Sequence, residues 1–431
     1  MKVCGCFALV MLWGMTVSAL AEEALPRVPP VDLAQFSPDQ FTDDELDIPY
    51  LLSHFHTVIN SVVETGPHRG YIDIPVWRDR QYNKPYNARI LENYLSFAWF
   101  YCTDRPWNVY YGHPAVRARL EAVLAYWCDM QGPSGQFSEY AVEEWALAPT
   151  AFATKFMGRT LDLLESGPPI DPALLQRVRA AQRKAIHATL TDPDLYAHGK
   201  EYTNQFTNVW PGALSYLKRY PDAEIGQLFR QRLVETTPVF QSPAGYFYEK
   251  NGPDWSYNFG THHTNLEAAR NYTDDPALLG IFLESERAFY EWVAYNAVLE
   301  PEAPCFVLNR AVESRKRVSS RHCEDAELLD MSYPDLQQVP LARPFWPTQE
   351  EIGAARQAAR AALERDWPKV PELEDFTPYH FLARGFARWY PTAAERADAV
   401  AALPYLARET FTHQRVDNRI EVAYTYVRRP A

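Results

Sequence analysis

The stretch DPALLQRVRAAQRKAIHATL, Asp171 to Leu190, decides how the rest of the chain is interpreted. Its apolar residues recur at the three- and four-residue spacing that places them on one face of an α-helix. Asp171 offers an N-cap side chain, and Pro172 is a residue that helices accept in their first turn. The stretch therefore predicts a helix over residues 172–190.

The same pattern recurs along most of the chain. Apolar residues follow helix spacing over residues 84–101, 114–130, 138–165, 201–219, 222–237, 262–272, 275–298, 349–365 and 392–402. Asp222 and Asp275-Pro276 repeat the capping signal. Because short turns join these segments and no fixed-period repeat is present, we predict a mainly α fold. Its expected architecture is an (α/α) toroid of roughly six to seven helix pairs rather than a regular solenoid.

Two regions depart from the helical pattern. Residues 300–345 form a polar, Arg-rich stretch, which in a compact domain is typical of a functional loop. The tail alternates like β-strands, most clearly from Ile420 to Val427. We therefore predict a signal peptide at 1–21, a toroid catalytic domain at 22–405 and a strand-like segment at 406–431.

The beginning of the chain is typical of a cleaved secretory signal. Lys2 precedes the apolar run FALVMLWGMTV, and Ala19-Leu20-Ala21 follows it. We expect cleavage after Ala21, a secreted or periplasmic protein and no membrane association afterwards, since no later run reaches the roughly 20 apolar residues of a spanning helix. The net charge of -13 argues against a nucleic-acid partner. The oligomeric state stays open.

Cysteine and histidine spacing gives no sign of a metal site. The cysteines that remain after signal cleavage allow three disulfide pairings, of which Cys305 with Cys323 closes the shorter loop; the other two are Cys102 and Cys128. Neither a CxxC nor an HxxxH pattern occurs. We predict no metal and no cofactor.

The stretch YEKNGPDWSYNFGTHH, Tyr248 to His263, concentrates acid–base side chains where glycine and proline interrupt regular structure. We predict an irregular loop here, with Tyr257 and the pair His262 and His263 as catalytic candidates. A tyrosine acts as a base only where cations or donors stabilise its phenolate. Tyr248, Glu249 and Asp254 are candidate substrate ligands, although the two acids could equally be glycosidase carboxylates or turn caps.

A second group lies in the segment YTNQFTNVWPGAL. Asn204 and Asn208 are four residues apart, so a helix places both carboxamides on one face. We predict that Asn208 is catalytic and that Asn204 binds substrate. The aromatic row Tyr202, Phe206 and Trp210 is mainly expected to be core, with Trp210 as a candidate sugar subsite.

Two further segments supply candidate ligands of the substrate. The basic run Cys305 to His322 contains Arg310 and Arg315, whose planar guanidinium groups bind carboxylates bidentately. Gln136 and Tyr140 could face a cleft from the stretch that follows Gly132-Pro133.

Three motifs together resemble the helical-toroid polysaccharide lyases, the clan of hyaluronate/chondroitin lyases, alginate lyases and heparinase II/III-like enzymes. They are NQFTNVW, YFYEKNGPDWSYNFG and LNRAVESR, in this order, within residues 80–320. The resemblance implies β-elimination in a uronate-containing, anionic polysaccharide. Asn208, with Asn204 or an arginine, would neutralise the uronate carboxylate, and Tyr257 would protonate the leaving oxygen. The base would be Tyr257, or else His262 or His263; here the histidines follow the tyrosine, whereas in hyaluronate-type lyases the histidine precedes it.

Two other functions are open at this point. A glycoside hydrolase on a similar toroid would use two carboxylates, Asp254 with Glu249 or Glu139. A glycan-binding protein would keep the aromatic and basic side chains without turnover.

Overall fold

A computed structural model describes residues 24–299, 306–313 and 337–430. These residues are mainly helical, as predicted. The predicted signal peptide, Arg315, Cys305 and Cys323 lie outside them. Within the described ranges, no helix is long and apolar enough to cross a membrane.

The α-helices are α1 Ile48–Ile59, α2 Tyr94–Cys102, α3 Pro114–Asp129, α4 Leu147–Leu164, α5 Pro172–Thr191, α6 Pro193–Glu201, α7 Thr203–Phe206, α8 Val209–Arg219, α9 Ala223–Phe240, α10 Trp255–Tyr257, α11 Thr264–Arg270, α12 Pro276–Asn296, α13 Gln349–Asp366, α14 Tyr379–Leu382, α15 Ala393–Ala401 and α16 Pro404–Ala407. A π-helical turn, Asn258–His263, joins α10 to α11. Short 3-10 turns occupy Leu33–Gln35, Pro38–Gln40, Arg80–Tyr82, Ile90–Asn93, Arg310–Val312 and Pro340–Phe345.

Three antiparallel strand pairs accompany the helices. They are β1 Phe137–Ser138 with β2 Trp145–Ala146, β3 Ala297–Leu299 with β4 Phe306–Leu308, and β5 Phe411–Asp417 with β6 Val422–Arg428. The β5–β6 hairpin confirms the strands predicted in the tail.

Several predicted boundaries were wrong. The helix expected over 138–165 begins only at Leu147, because β1 and β2 pair before it. The helix expected over 84–101 begins at Tyr94, after a 3-10 turn. The segment 201–219 is divided between α7 and α8. We also missed α6, although Asp192-Pro193 repeats the signal of Asp171-Pro172 and Asp192 accepts hydrogen bonds from the first turn.

The predicted loop over 248–263 is helical in its second half. Asp254 caps α10 through a hydrogen bond from the Tyr257 backbone N–H to its Oδ1, at 3.1 Å. The chain then continues through the π-helical turn into α11, with Gly260 inside the helical run. Pro253 precedes the cap, where a proline does not oppose a helix.

The hydrophobic core has two parts that share α4 and α5. One part gathers α1, α2 and α3, and the other gathers α8, α9 and α12. At the crossing of α4 and α8 a Cβ on Gly212 would lie 2.3 Å from Thr154 Oγ1, and one on Gly158 would lie 2.0 Å from Ser215 Oγ. The two backbones therefore approach closely only because these positions are glycine. At this crossing Thr154 Oγ1 of α4 lies 3.5 Å from the backbone oxygen of Asn208, which precedes α8, and the next residue, Lys155, reaches Asn265 of α11.

Candidate functional site

Glu249 is held in a tight turn at the end of the segment that follows α9. Its backbone N–H donates to Gly252 O at 2.7 Å, and its backbone pairs with Tyr202 in an antiparallel bridge. Lys250 completes the turn at a φ of 64°, a conformation that non-glycine residues adopt rarely. The turn directs the Glu249 carboxylate to the start of α7.

Asn204 and Glu249 are joined by two hydrogen bonds. The Asn204 backbone N–H donates to Glu249 Oε1 at 2.9 Å, and its Nδ2 donates to Oε2 at 2.5 Å. His262 Nε2 lies 3.5 Å from Glu249 Oε1. All three side chains are buried. Residues that are distant in sequence thus meet here, and the Glu249 carboxylate binds Asn204.

His262 is neutral and has a defined tautomer. The Thr203 hydroxyl donates its hydrogen to Tyr248 O at 2.7 Å. Its oxygen must therefore accept the hydrogen bond from His262 Nε2–H, at 2.5 Å. The ring stacks on Phe247 at 4.3 Å between centroids. Burial lowers the pKa of His262, although Glu249 opposes the shift. Nδ1 is left as a basic nitrogen with no hydrogen-bond partner among the described residues.

Asn208 joins the same cluster through the nitrogen of its side-chain amide. Its Nδ2 donates to Asn204 O at 2.7 Å and to Gln205 O at 3.1 Å, so both amide hydrogens are used by the backbone. Within the described ranges, its buried Oδ1 has no hydrogen-bond partner. The expectation that Asn208 donates to a substrate carboxylate therefore does not match this arrangement.

Lys155 and Asn265 extend the cluster and were missed by the sequence analysis. Lys155 Nζ donates to Asn265 Oδ1 at 3.0 Å, and Asn265 Nδ2 donates to Thr207 Oγ1 at 3.0 Å. The available signal was a single lysine in the apolar run of α4, TAFATKFMG. A buried charge needs a hydrogen-bonding or charged partner, so the sequence already indicated that this lysine has a polar partner in the core.

Burial disfavours the charge of Lys155, although three aromatic rings lie at cation–π distance from its ammonium. The ammonium lies 5.0–5.2 Å from the ring centroids of Phe152, Phe156 and Tyr379. Burial lowers the pKa of Lys155 to about 7, which Arg89 reinforces and Glu92 opposes. Near neutral pH this amine is consequently able to take or release a proton.

The two adjacent histidines occupy different environments. His263 Nδ1 lies 3.3 Å from Glu286 Oε1, and Glu286 also pairs with Arg270. The ring packs on Trp346 at 5.3 Å. His263 therefore belongs to a second buried group and not to the cluster that contains His262.

Tyr257 is the one catalytic candidate that is partly exposed; Asn208, His262 and His263 are buried. It ends α10, one turn before His262. Asp254, its capping partner, is fully buried, and Asp254 Oδ2 makes no hydrogen bond to any described residue.

Three candidate substrate ligands have structural partners instead. Tyr248 donates its hydroxyl to Asp417 Oδ2 at 2.7 Å and so attaches the β5–β6 hairpin. Trp210 is 2% exposed and packs on Phe206 and Phe229, in line with the core expectation for its aromatic row. Gln136 Nε2 donates to Asp192 Oδ2 at 2.6 Å, at the start of α6.

Tyr140 is separated from the cluster and lies at the surface. It is 55% exposed, and its ring meets the edge of Tyr82 at 6.0 Å. Its neighbour Glu139 is buried and pairs with Arg78. Arg310 begins a 3-10 turn.

Comparison of the chain with protein-family models and with curated proteins gave no match. The site must therefore be judged on its own geometry. Among the described residues, no group of three or more His, Cys, Asp or Glu side chains could hold a metal ion.

Proposed function

We propose that the protein is an exported polysaccharide lyase with an (α/α) toroid fold, which cleaves a uronate-containing polysaccharide by β-elimination. One observation carries the proposal: Asn204, Asn208 and Glu249 form one buried hydrogen-bonded cluster, with His262 3.5 Å from Glu249, on the segments next to the partly exposed Tyr257. Buried polar groups are costly unless they are paired, so the hydrogen bonds within the cluster hold its segments together. In this way the cluster positions the neighbouring helical turn that contains Tyr257.

In this proposal Tyr257 carries the proton transfers. Its phenolate takes the C5 proton of the uronate and becomes a phenol. The phenol then gives this proton to the glycosidic oxygen on the same face of the sugar as the C4–O bond breaks and the C4=C5 double bond forms. The buried His262 orients the segment through Thr203 and Glu249. A histidine base for anti elimination is less favoured because neither imidazole is exposed.

Elimination at C5 also requires stabilisation of the charge that develops on the uronate carboxylate. Lys155 is the cation joined to the cluster, through Asn265. The protonated form of a poorly solvated amine stabilises a nearby developing anion, and the anion in turn favours that protonated form. We therefore assign to Lys155 the stabilisation of the negative charge on the uronate carboxylate, a role that the family resemblance implies for Asn208.

The carboxylates fit a hydrolase less well. Both Glu249 oxygens accept hydrogen bonds from Asn204, and Asp254 Oδ1 caps α10. Each acid thus has a structural partner and is buried, whereas a hydrolase needs two carboxyl groups that flank an accessible glycosidic bond.

The test is ultraviolet absorbance of unsaturated uronate products from a panel of uronate polysaccharides, with a chelator present. We expect Tyr257→Phe to lower turnover at least about 100-fold, since general acid–base groups contribute roughly 10²–10⁴-fold. Tyr111→Phe removes the hydroxyl of an exposed tyrosine and is the matched control.

Asp254→Asn separates the two reactions. Asparagine keeps an oxygen for the N-cap, so the variant should fold and retain elimination. New reducing ends without unsaturated product, lost in Asp254→Asn, would instead identify a hydrolase. Polysaccharide binding without any cleavage would identify a glycan-binding protein.

A further inference from the structure

A cleft of about 680 Å³ separates α11 from residues 377–390. Gly260, Thr264 and Ala268 line it from the helical run that contains the candidate site. The other walls are residues 43–47 and α13. Its volume falls within the roughly 300–1,000 Å³ of small-molecule sites.

The cleft and the buried cluster share a wall. Tyr379 lines the cleft, and its ring centroid is 5.0 Å from Lys155 Nζ. Thr264 also lines the cleft, and the next residue, Asn265, accepts the hydrogen bond from Lys155. A ligand in the cleft would therefore lie one layer of side chains away from the cluster.

The lining of the cleft contains aspartates and arginines that form ion pairs with one another. Arg356 pairs with Asp44, and Arg384 pairs with Asp47. Arg388 Nη1 lies 3.8 Å from Asp44 Oδ1. The Asp44 and Asp47 side chains are 65% and 48% exposed, and exposed ion pairs contribute only about 0–1 kcal/mol. An incoming polar ligand can accordingly exchange with the Arg356–Asp44 pair at little cost, whereas the Arg384 side chain is only 14% exposed.

The balance of charge restricts the class of ligand. Three aspartates and three arginines of the lining balance in charge, so a bound anion must be held by contacts with individual arginines and not by a net positive charge of the cleft. It offers carboxylate acceptors, guanidinium donors and the rings of Tyr379, Phe386 and Tyr390. Neighbouring sugar hydroxyls can donate hydrogen bonds to the carboxylates and accept them from the guanidinium groups. The apolar faces of sugar rings can pack on the aromatic rings.

We infer that this cleft binds a short oligosaccharide segment of the substrate. The inference rests on the proposed function and places part of the polymer beside Gly260, three residues after Tyr257 in the same helical run. The arginines would meet uronate carboxylates, and the aspartates would accept hydrogen bonds from sugar hydroxyls.

Calorimetric titration of the full-length mature chain carrying Tyr257→Phe tests the inference without turnover. The probes are trisaccharides of mannuronate and of glucuronate, with cellotriose as the neutral counterpart and inorganic phosphate as the ion control. Asp44→Asn and Tyr390→Ala should each raise the Kd of the bound trisaccharide at least about tenfold, the effect of losing one charged or aromatic contact. Asp366→Asn removes a comparable exposed partner, that of Arg365 at the end of α13, and should leave the Kd unchanged.

The outcomes separate this inference from the proposed function. Unchanged affinity in both cleft variants, or no trisaccharide binding, overturns the inference even if the wild-type chain makes unsaturated uronate. Binding that depends on Asp44 and Tyr390 supports the cleft even if no elimination is found. Phosphate binding alone would also overturn it, because the cleft would then be an ion site.

Discussion

At the scale of single residues, adjacent positions in a helix can have unrelated environments. Successive residues of a helix point roughly 100° apart. His262 therefore reaches Thr203 and Glu249, whereas His263 reaches Glu286. The sequence presents them as a pair, but only the fold assigns them to different groups.

Lys155 gives a prediction about pH. Its pKa in the folded state, about 7, is below the unfolded value of about 10.4, so the unfolded chain binds more protons between these values. Stability from this residue should therefore rise with pH in that window, by up to about 1.4 kcal/mol per pH unit. Lys155→Met should remove this rise and stabilise the protein most, relative to wild type, below about pH 7.

Urea unfolding of both proteins at about pH 6, 7.5 and 9 measures the effect. The difference between the two free energies is the quantity of interest, because other titrating groups are common to both chains. Lys184→Met removes an exposed lysine of α5 and controls for the loss of one positive charge. A wild-type-minus-variant difference that does not change with pH would contradict the assignment.

At the scale of elements, the α4–α8 crossing determines whether Lys155 and Asn208 can belong to one cluster. A methyl group on Gly212 would lie 2.7 Å from the Thr154 backbone carbon, so Gly212→Ala must push the helices apart. We expect a loss of about 1–3 kcal/mol in unfolding free energy, as for other overpacked cores.

Gly280→Ala is the matched control. Gly280 lies within α12 and has no atom within 4 Å of an added Cβ, so alanine should stabilise the helix by about 0.4–1 kcal/mol. Thermal unfolding of the two variants should shift the midpoint in opposite directions. Equal shifts would mean that helix propensity, and not the close approach of α4 and α8, controls this position.

Element prediction succeeded where a local signal was strong. The Asp-Pro start of α5, the Asp-Pro start of α12 and the alternation of β5 and β6 are all local, and these elements occur where the sequence indicates them. The boundaries of α2, α4 and α8 depended on packing and turns elsewhere in the chain. The π-helical turn has the same origin, since Asn258 anchors it to the backbone of Phe247 in a neighbouring segment.

At the scale of the whole molecule, the two parts of the core are not independent. α4 and α5 contribute to both, so neither part keeps its buried surface if the other unfolds. We expect one cooperative unfolding transition in calorimetry, with equal calorimetric and van't Hoff enthalpies. Two separated transitions would show that the shared helices do not couple the two parts.

The sequence by itself determined the mainly α class, the strands of the tail and the residue types from which a lyase site is proposed, because helix periodicity, strand alternation and capping are local properties. It also placed Asn204 and Asn208 on neighbouring turns. Only the tertiary structure decided which side chains meet. The residues of the cluster come from three segments: Lys155 from α4, Glu249 from the turn after α9, and His262 with Asn265 from the helical run that ends in α11. Tyr248 and Gln136 bind Asp417 and Asp192 instead. Contacts between distant segments depend on how helices cross and what they must bury, and periodicity along one segment carries no information about either.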